Sequence, residues 1–227
     1  MIDETKITAE LTKLNTEIVE CLSCKRLVAY REQVAKAKIK RFKNWDYWGK
    51  PLPGFGDPKA EILILGLAPA AHGGNRTGRM FTGDSSGDFL MASLYRTGLS
   101  SSPASIRRDD GLTLTHTYIT ASLRCAPPDN RPTKQELDNC FRFLRREFQL
   151  LANVKVIVAL GFIAFKQALK LTNMATAKFG HGNVVAGSKP ILISSYHPSR
   201  RNTQTGLLTP KMLDEIFLEA KKRALLL

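Results

Sequence analysis

The strongest constraint on the fold is a series of four short apolar runs, separated by segments long enough for helices. The apolar runs are residues 61–66, 118–121, 154–160 and 190–195, and the intervening segments include 87–96, 134–151 and 162–171. Apolar residues at consecutive positions are typical of strands that are buried on both faces. Strands that alternate with helices favour a largely parallel sheet with helices on both sides. The sequence therefore predicts an α/β/α sandwich.

The first 50 residues are predicted to be a helical, basic segment. Apolar residues at three- and four-residue steps indicate an amphipathic helix over residues 5–22. The tract 25–43, with eight basic residues and one acidic residue, is expected to continue as helix. An aromatic group follows the tract, and its rings either stack on nucleic-acid bases or pack within the protein: Phe42, Trp45, Tyr47 and Trp48.

The C-terminal end is also predicted to be helical. Thr209 is a good N-cap and Pro210 suits the first helical position, so we expect a helix that runs through Leu227. No internal repeat or low-complexity segment interrupts the chain. Its 227 residues can bury one substantial core, and we expect a single domain over residues 1–227.

The charge balance points to a polyanionic partner. Lysine and arginine number 34 against 20 acidic residues, which gives a formal net charge of +14. Such an excess favours nucleic acid as the partner. No apolar run approaches the roughly 20 residues that a membrane helix needs. The acidic start of the chain does not resemble a secretory signal, so we expect a cytoplasmic protein that works with the chromosome.

Three of the four predicted strands end in polar loops rich in glycine or proline. These loops cover residues 66–84, 124–132 and 197–206. In open parallel sheets the chemistry lies beyond the carboxyl ends of the strands, so the three loops are expected to meet at one rim. Neither a dinucleotide-binding nor a P-loop motif is present. The sequence therefore predicts a site of another kind at this rim.

The four cysteines are candidates for metal binding. Cys21 and Cys24 form a C-x-x-C pair, whereas Cys125 and Cys140 are separated by fourteen residues. A four-cysteine zinc site, an iron–sulfur cluster and isolated buried thiols are all compatible with this pattern. Zinc ribbons usually carry a second C-x-x-C pair, which is absent here, so the spacing favours a cluster.

Several motifs together resemble the uracil-DNA glycosylase superfamily. They are G-L-A-P-A at 66–70, F-T-G-D at 81–84, R-C-A-P-P-x-N at 124–130 and H-P-S-R-x-N-T-Q-T-G at 197–206. With the four cysteines, the chain is most similar to family 5, the iron–sulfur branch also called type B. The resemblance implies a central four-stranded parallel sheet and a [4Fe–4S] cluster held by Cys21, Cys24, Cys125 and Cys140.

The resemblance also implies how the pocket holds a base. Phe81 corresponds to the aromatic residue that stacks on the base, although a phenylalanine is also a common core residue. Leu67, Ala68, Pro69 and Ala70, in the loop after the first predicted strand, are expected to contact the base. The backbone amides over residues 67–71 are expected to hold the uracil edge or to steer water, since neither role needs a side chain. His197 corresponds to the histidine that donates a hydrogen bond to a uracil carbonyl oxygen.

Two further residues are implied to act on water or on the substrate. Asp84 corresponds to a water-activating carboxylate, but an aspartate before Ser85 is also a good helix N-cap. Asn130 corresponds to a substrate contact, but an asparagine between prolines also suits a turn.

The last motif is expected to contact DNA through Ser199, Arg200, Arg201 and Asn202.

Two positions depart from other branches of the superfamily. Leu67 occupies a position where other branches carry an acidic or amide side chain that handles water. Ala121 occupies a position where the type A branch carries a base-reading asparagine. Family 5 shares both departures, and the loss of the asparagine leaves hypoxanthine and other deaminated or modified bases as candidate substrates.

The sequence thus predicts a monofunctional DNA glycosylase that hydrolyses the N-glycosidic bond of a flipped-out uracil and initiates base excision repair. No lysine occupies a nucleophile position in the motifs, so no lyase step is expected. The main alternative is a non-catalytic protein that binds damaged DNA on the same fold. Covalent capture of DNA by His197 and a zinc enzyme acting on free nucleotides are further alternatives. We expect a monomer, with a sliding clamp as a candidate partner.

Overall fold

A sheet of six strands lies at the centre of the computed structural model, which describes residues 4–186 and 190–226. The strands are β1 (Phe55–Gly56), β2 (Ile62–Gly66), β3 (Thr117–Ala121), β4 (Val156–Leu160), β5 (Val184–Val185) and β6 (Ile191–Ser195). Their order across the sheet is β1-β3-β2-β4-β6-β5. The four inner strands are parallel and almost entirely buried, as their continuous apolar runs predict. This confirms the predicted mainly parallel sheet.

The two edge strands were not predicted, so the expected count of four strands was too low. β1 pairs antiparallel with β3, and β5 pairs antiparallel with β6. Each edge strand is only two residues long. A segment of that length cannot display the alternation by which a half-buried strand is recognised.

Helices cover both faces of the sheet, as predicted. They are α1 (Glu4–Val19), α2 (Lys25–Ala37), α3 (Gly74–Thr77), α4 (Ser85–Arg96), α5 (Lys134–Leu150), α6 (Phe162–Thr172), α7 (Arg200–Gln204) and α8 (Pro210–Ala224). α4 and α8 pack in the core on one face, which includes Ile62 and Ile64 of β2. α1, α5 and α6 pack on the other face, which includes Leu63 and Leu65. The alternation along β2 is the period-two geometry of a strand.

The N-terminal helices are shorter than predicted. α1 ends at Val19, and Leu22 is 66% exposed although its spacing had placed it on the buried face. Cys21 and Cys24 therefore lie in a linker between two helices rather than one turn apart on a helix, and Cys24 is the N-cap of α2. The basic tract does not continue as helix to residue 43, because Lys38 adopts a φ of +52° and ends α2.

The C-terminal helix begins as predicted and ends earlier. Thr209 Oγ1 accepts a hydrogen bond from the Met212 amide at 3.3 Å, which confirms the N-cap. Leu225 adopts a left-handed conformation with φ +60°, so α8 ends at Ala224 and not at Leu227. Leu227 itself lies outside the described residues. Within the described ranges no helix has both the length and the apolar character needed to cross a membrane.

Candidate active site

The three predicted loops meet in one cavity of about 430 Å³ beyond the carboxyl ends of the parallel strands. The cavity is lined by Leu67, Ala68, Pro69, Ala70, Met80, Phe81, Asp84, Ser85, Ser86, Asn130, His197, Ser199, Arg200 and Arg201. All the residues that the sequence predicted to be catalytic or to contact the base thus line the cavity. A larger, more open groove of about 650 Å³ lies near Glu61 and Lys155, and no predicted site residue lines it. The structure therefore brings the expected site together.

Asn202 is the one predicted DNA-contacting residue that does not line the cavity. Its side-chain amide Nδ2 donates a hydrogen bond to the His197 carbonyl oxygen at 2.9 Å. Ser199 Oγ accepts a hydrogen bond from the Asn202 amide at 3.4 Å and caps α7. Asn202 thus supports the backbone of the loop that carries His197, and its expected contact with DNA stays a prediction.

Phe81 and His197 form adjoining walls of the cavity. Their ring centroids are 6.0 Å apart and the ring planes differ by 29°. Phe81 adopts a φ of +48°, a conformation that is strained for an aromatic residue. Its ring also lies against Gly66, where an added Cβ would come within 2.8 Å of Cε2. The glycine at the end of β2 is therefore what allows the aromatic wall to lie at the strand end.

The imidazole of His197 is neutral at neutral pH. Burial lowers its pKa to about 4, because the charged form cannot be solvated there. Among the described residues, no side chain or backbone group makes a hydrogen bond to the ring. A neutral imidazole keeps one N–H donor, so His197 can donate to an oxygen that becomes negative in the cavity.

Asp84 is both a helix cap and a wall of the cavity. Its Oδ1 accepts hydrogen bonds from the amides of Ser86 and Gly87 at 2.9 and 3.0 Å, so the capping interpretation is correct. Burial raises the pKa of Asp84 above its usual value, and these two backbone hydrogen bonds act in the opposite direction. Because Oδ2 makes no hydrogen bond to a described residue, one carboxylate oxygen remains for water or substrate.

The loop between Met80 and Asp84 is stabilised by the ion pair that Arg79 forms with Asp110. Arg79 Nη2 lies 2.7 Å from Asp110 Oδ2 and also donates to Ser105 Oγ at 2.7 Å. Arg79 Nε donates to Thr82 Oγ1 at 3.1 Å, and the Gly83 amide donates to the Ser105 carbonyl oxygen at 2.9 Å. These contacts account for how Phe81 keeps a strained conformation beside the cavity.

Replacement of Asp110 by asparagine is expected to lower the free energy of unfolding by about 1–2 kcal/mol at pH 7. Burial alone would raise the pKa of Asp110, but Arg79 and backbone amides outweigh burial and lower it to about 2. The stabilisation of the folded state by ionised Asp110 is therefore present above about pH 4 and is lost as the pH falls through about 2. Urea unfolding of both proteins across this range measures it. The exposed neighbour Asp109, changed to asparagine, is the matched control; an equal loss there would contradict the prediction.

The loop after β2 offers backbone donors in place of side chains. The Leu67 carbonyl oxygen accepts from the Leu123 amide at 2.9 Å, which fixes the start of the loop. The amides of Ala68, Ala70 and Ala71 donate to no group in the described part of the chain. These unpaired donors near the cavity are available to a water or to a base carbonyl, and the expected contact of this loop with uracil stays a prediction.

Asn130 stands at the edge of the cavity. It adopts a φ of +56° after Asp129 at +53°, so its role as a turn residue is confirmed. Its side chain is exposed and makes no hydrogen bond with another described residue. Asn130 is thus free to contact a ligand in the cavity, and that contact stays a prediction.

The four cysteines border one small enclosed space between α2, α5 and the loop after β3. Cys21 and Cys24 are partly exposed, whereas Cys125 and Cys140 are buried. Burial raises the pKa of Cys125 to about 11 and that of Cys140 to about 12. Two thiols of this kind are poor thiolates unless a positive group or a metal stabilises them.

A buried guanidinium lies against this space. Arg31 is 2% exposed, and its Nη1 donates to Cys125 Sγ at 3.0 Å. Its nearest carboxylate is Glu32 at 3.8 Å, whose side chain is 61% exposed, and Arg31 Nε has no partner among the described residues. Within the described residues Arg31 thus has only this long ion pair with an exposed carboxylate, and a buried cation that is so weakly paired is costly. A negatively charged thiolate-bound group in this space would supply a close partner, so the residues fit a cluster.

A zinc ion and a cluster require different spacings of the four sulfurs. Within residues 4–186 and 190–226, no three metal-binding side chains are spaced to hold one ion. A tetrahedral zinc needs four sulfurs about 2.3 Å from one centre. A cluster places its own iron and sulfide atoms between the thiolates and so separates them further.

Comparison with known proteins agrees with the geometry. A family model described as the uracil DNA glycosylase superfamily matches residues 53–221. A type-5 uracil-DNA glycosylase of Mycobacterium bovis is 50% identical over 219 residues, which cover 94% of this chain and 82% of that protein. Type-5 enzymes of Thermus thermophilus and Pyrobaculum aerophilum are 49% and 46% identical, covering 91% and 89% of this chain and 95% and 88% of those proteins. The chain belongs to the uracil-DNA glycosylase superfamily, and within it to the type-5 branch.

Proposed function

We propose that this protein is a monofunctional glycosylase that hydrolyses the N-glycosidic bond of uracil in DNA. The observation that carries the proposal is the single cavity in which a neutral His197, the Phe81 ring and the Asp84 carboxylate meet. The similarity to type-5 uracil-DNA glycosylases over most of the chain supports the same activity. A cavity of about 430 Å³ has room for one base, provided that the nucleotide leaves the duplex stack.

The reaction separates a uracil anion from a cationic sugar, and the site residues suit both charges. The base lies against Phe81, and the His197 N–H donates to the carbonyl oxygen on which negative charge develops. Unpaired amides of Ala68 and Ala70 add further donors at the base edge. Asp84, with one oxygen free of hydrogen bonds, holds the water that attacks the sugar and favours its positive charge.

A neutral histidine is the suitable donor for this step. Because burial lowers the pKa of His197 to about 4, the ring stays uncharged before and during the reaction. A donor that is already fixed in place loses little energy by reorganisation when the anion forms. Asn130 at the edge of the cavity is proposed to contact the base or the sugar.

The binding surface for DNA is proposed to surround the cavity. Arg200 and Arg201 line its rim, Ser199 caps the helix on which they lie, and the chain carries a net charge of +14. Arginines at the rim favour phosphate contacts that position the strand without reading its sequence. Within the described residues no lysine lines the cavity, so the abasic product is expected to be released without strand cleavage.

The four cysteines are proposed to bind a [4Fe–4S] cluster. The buried guanidinium of Arg31 beside Cys125 supports a negatively charged occupant. Cys21 and Cys24 would then be joined to Cys125 after β3 and to Cys140 on α5, so the bound group would connect the N-terminal helices to the sheet. The space that the cysteines border has no lining residue in common with the cavity, which favours a structural role.

Base release from matched oligonucleotides tests the proposed activity. We expect release from strands that carry uracil, and none from strands with cytosine at the same position; hypoxanthine is proposed as a second, slower substrate. The product strand should break only after alkaline treatment. Tight binding of uracil-containing DNA without release would instead identify a damage-recognition protein and overturn the proposal.

A further inference from the structure

α3 divides the loop 66–84 into a first part, residues 67–73 after β2, and a second part, residues 78–84, which carries Asp84. We infer that Arg76 is a positioning residue that bridges these two parts and so holds the Asp84 carboxylate at the cavity. The inference rests on the proposed function, in which Asp84 holds the attacking water. Arg76 lies on α3 and does not line the cavity, so it acts through Asp84 and not on the substrate.

The guanidinium of Arg76 bonds to both parts of the loop. It is 3% exposed, and its Nε donates to the His72 carbonyl oxygen at 2.8 Å. Its Nη2 donates to the Gly83 carbonyl oxygen at 2.7 Å, immediately before Asp84. The planar fork of an arginine keeps two such donors in fixed relative positions. The separation of the two parts is therefore set by one rigid group.

Two aromatic rings hold this group in place. The Cζ atom of Arg76 lies 3.8 Å from the ring centroid of Phe42 and 4.1 Å from that of Trp45. The rings meet edge to face at 6.2 Å. Stacking of a guanidinium on aromatic faces is favourable, more so where water is excluded. Of the aromatic residues at the end of the basic tract, Phe42 and Trp45 therefore pack within the protein, against the guanidinium of Arg76.

Close packing transmits the position of Arg76 to Asp84. A Cβ on Gly83 would collide with Arg76 Nη2, and a Cβ on Gly73 would collide with Asp84 Oδ2. Gly83 also has a φ of +75°, which most residues avoid. With no room for even a methyl group between these parts, a displacement of the guanidinium displaces the loop and its carboxylate.

The charge of Arg76 also favours an ionised Asp84. Three charged groups bear on this part of the site: Arg76 and Asp88 act on Asp84, and Arg41 acts on both Arg76 and Asp88. Burial raises the pKa of Asp84, Asp88 raises it further, and Arg76 lowers it. Removal of Arg76 would therefore favour the protonated acid, which cannot hold water as a carboxylate does.

The test compares Arg76→Ala, Arg76→Lys and the control Arg96→Ala in single-turnover release of uracil from DNA. Arg96 bonds to Asp214 at 2.7 Å, far from the cavity at the other end of α4, and its loss should leave the rate unchanged. We expect Arg76→Ala to lower the rate about 100-fold and Arg76→Lys about 10-fold, with affinity for the DNA within about 2-fold. The acidic limb of the rate profile should move to higher pH in Arg76→Ala. Millimolar guanidinium ion, which fits the space between Phe42 and Trp45, should restore part of the rate.

The outcomes separate the inference from the proposed function. Absence of release by the unmodified protein would overturn the proposed function and the inference with it. Release by the unmodified protein, together with a folded Arg76→Ala that has the same rate and pH profile, would overturn the inference alone. A rate loss that matches weakened DNA binding and leaves the pH profile unmoved would also overturn it. If Arg76→Ala does not fold, Arg76→Lys decides by the same criteria.

Discussion

Replacement of Asp84 by asparagine is expected to lower the single-turnover rate of uracil release by about 10²- to 10⁴-fold while the protein remains as stable as before. Asparagine is as good an N-cap as aspartate, so it can still accept from the amides of Ser86 and Gly87. It has no carboxylate, however, and cannot hold a water by charge. The substitution therefore separates the capping role, which the structure shows, from the proposed catalytic role.

Asp214→Asn is the matched control, because Asp214 accepts from Ser93 and Arg96 at the opposite end of α4. Its loss of charge should leave the rate unchanged. Thermal unfolding of the three proteins shows whether the cap persists. An Asp84→Asn protein that releases uracil at the normal rate would mean that Asp84 is a helix cap alone.

The pH dependence provides a second measure of the same group. Because burial raises the pKa of Asp84, its ionised form is lost at a higher pH than that of an exposed aspartate. The rate of uracil release should therefore fall on the acidic side, and this fall should disappear in Asp84→Asn. His197, with a pKa of about 4, stays neutral over most of this range.

Replacement of Cys125 by serine is expected to abolish iron binding and to lower the free energy of unfolding by about 3–5 kcal/mol. The effect is large because Cys125 Sγ accepts from the buried Arg31 Nη1 at 3.0 Å. Without a thiolate-bound group, the buried guanidinium of Arg31 keeps only its long contact with the exposed Glu32. Loss of the group also removes the proposed connection between the N-terminal helices and the sheet.

Iron content and urea unfolding of the purified protein measure both effects. Leu22→Ser is the matched control, since Leu22 lies between two cysteines, is 66% exposed and carries no metal-binding atom in its side chain. The unmodified protein should contain about four irons per chain. Zinc in place of iron, or full iron content in Cys125→Ser, would contradict the proposed cluster.

The sequence predicted the inner strands well because their burial leaves a visible pattern. Residues 62–65 are apolar at every position, as a strand covered on both faces requires. The edge strands had no such pattern, and the end of α1 was missed because Leu22 continued the helical spacing although it is exposed. Periodicity records which residues would share a face, not where the helix ends.

The cavity could be predicted because its residues lie in recognisable motifs, but the residues behind it could not. Arg76 and Arg79 lie inside a glycine-rich loop, and several of the groups that pack against them are distant in sequence: Phe42, Trp45 and Asp110. One signal was present: two arginines among Gly73, Gly74, Gly78 and Gly83. Charged residues in a loop that packs this closely must have internal partners, and a local pattern does not reveal which.

The glycines that allow this packing also determine how the pocket can be changed. Gly66, Gly73 and Gly87 pack against Phe81 or Asp84 with no space for a methyl group, so natural variation or redesign there would break the loop. Leu67, Ala68 and Ala70 line the same cavity and already carry side chains. Acceptance of a different damaged base would therefore be acquired by substitution along 67–70, while the wall that holds water keeps its shape.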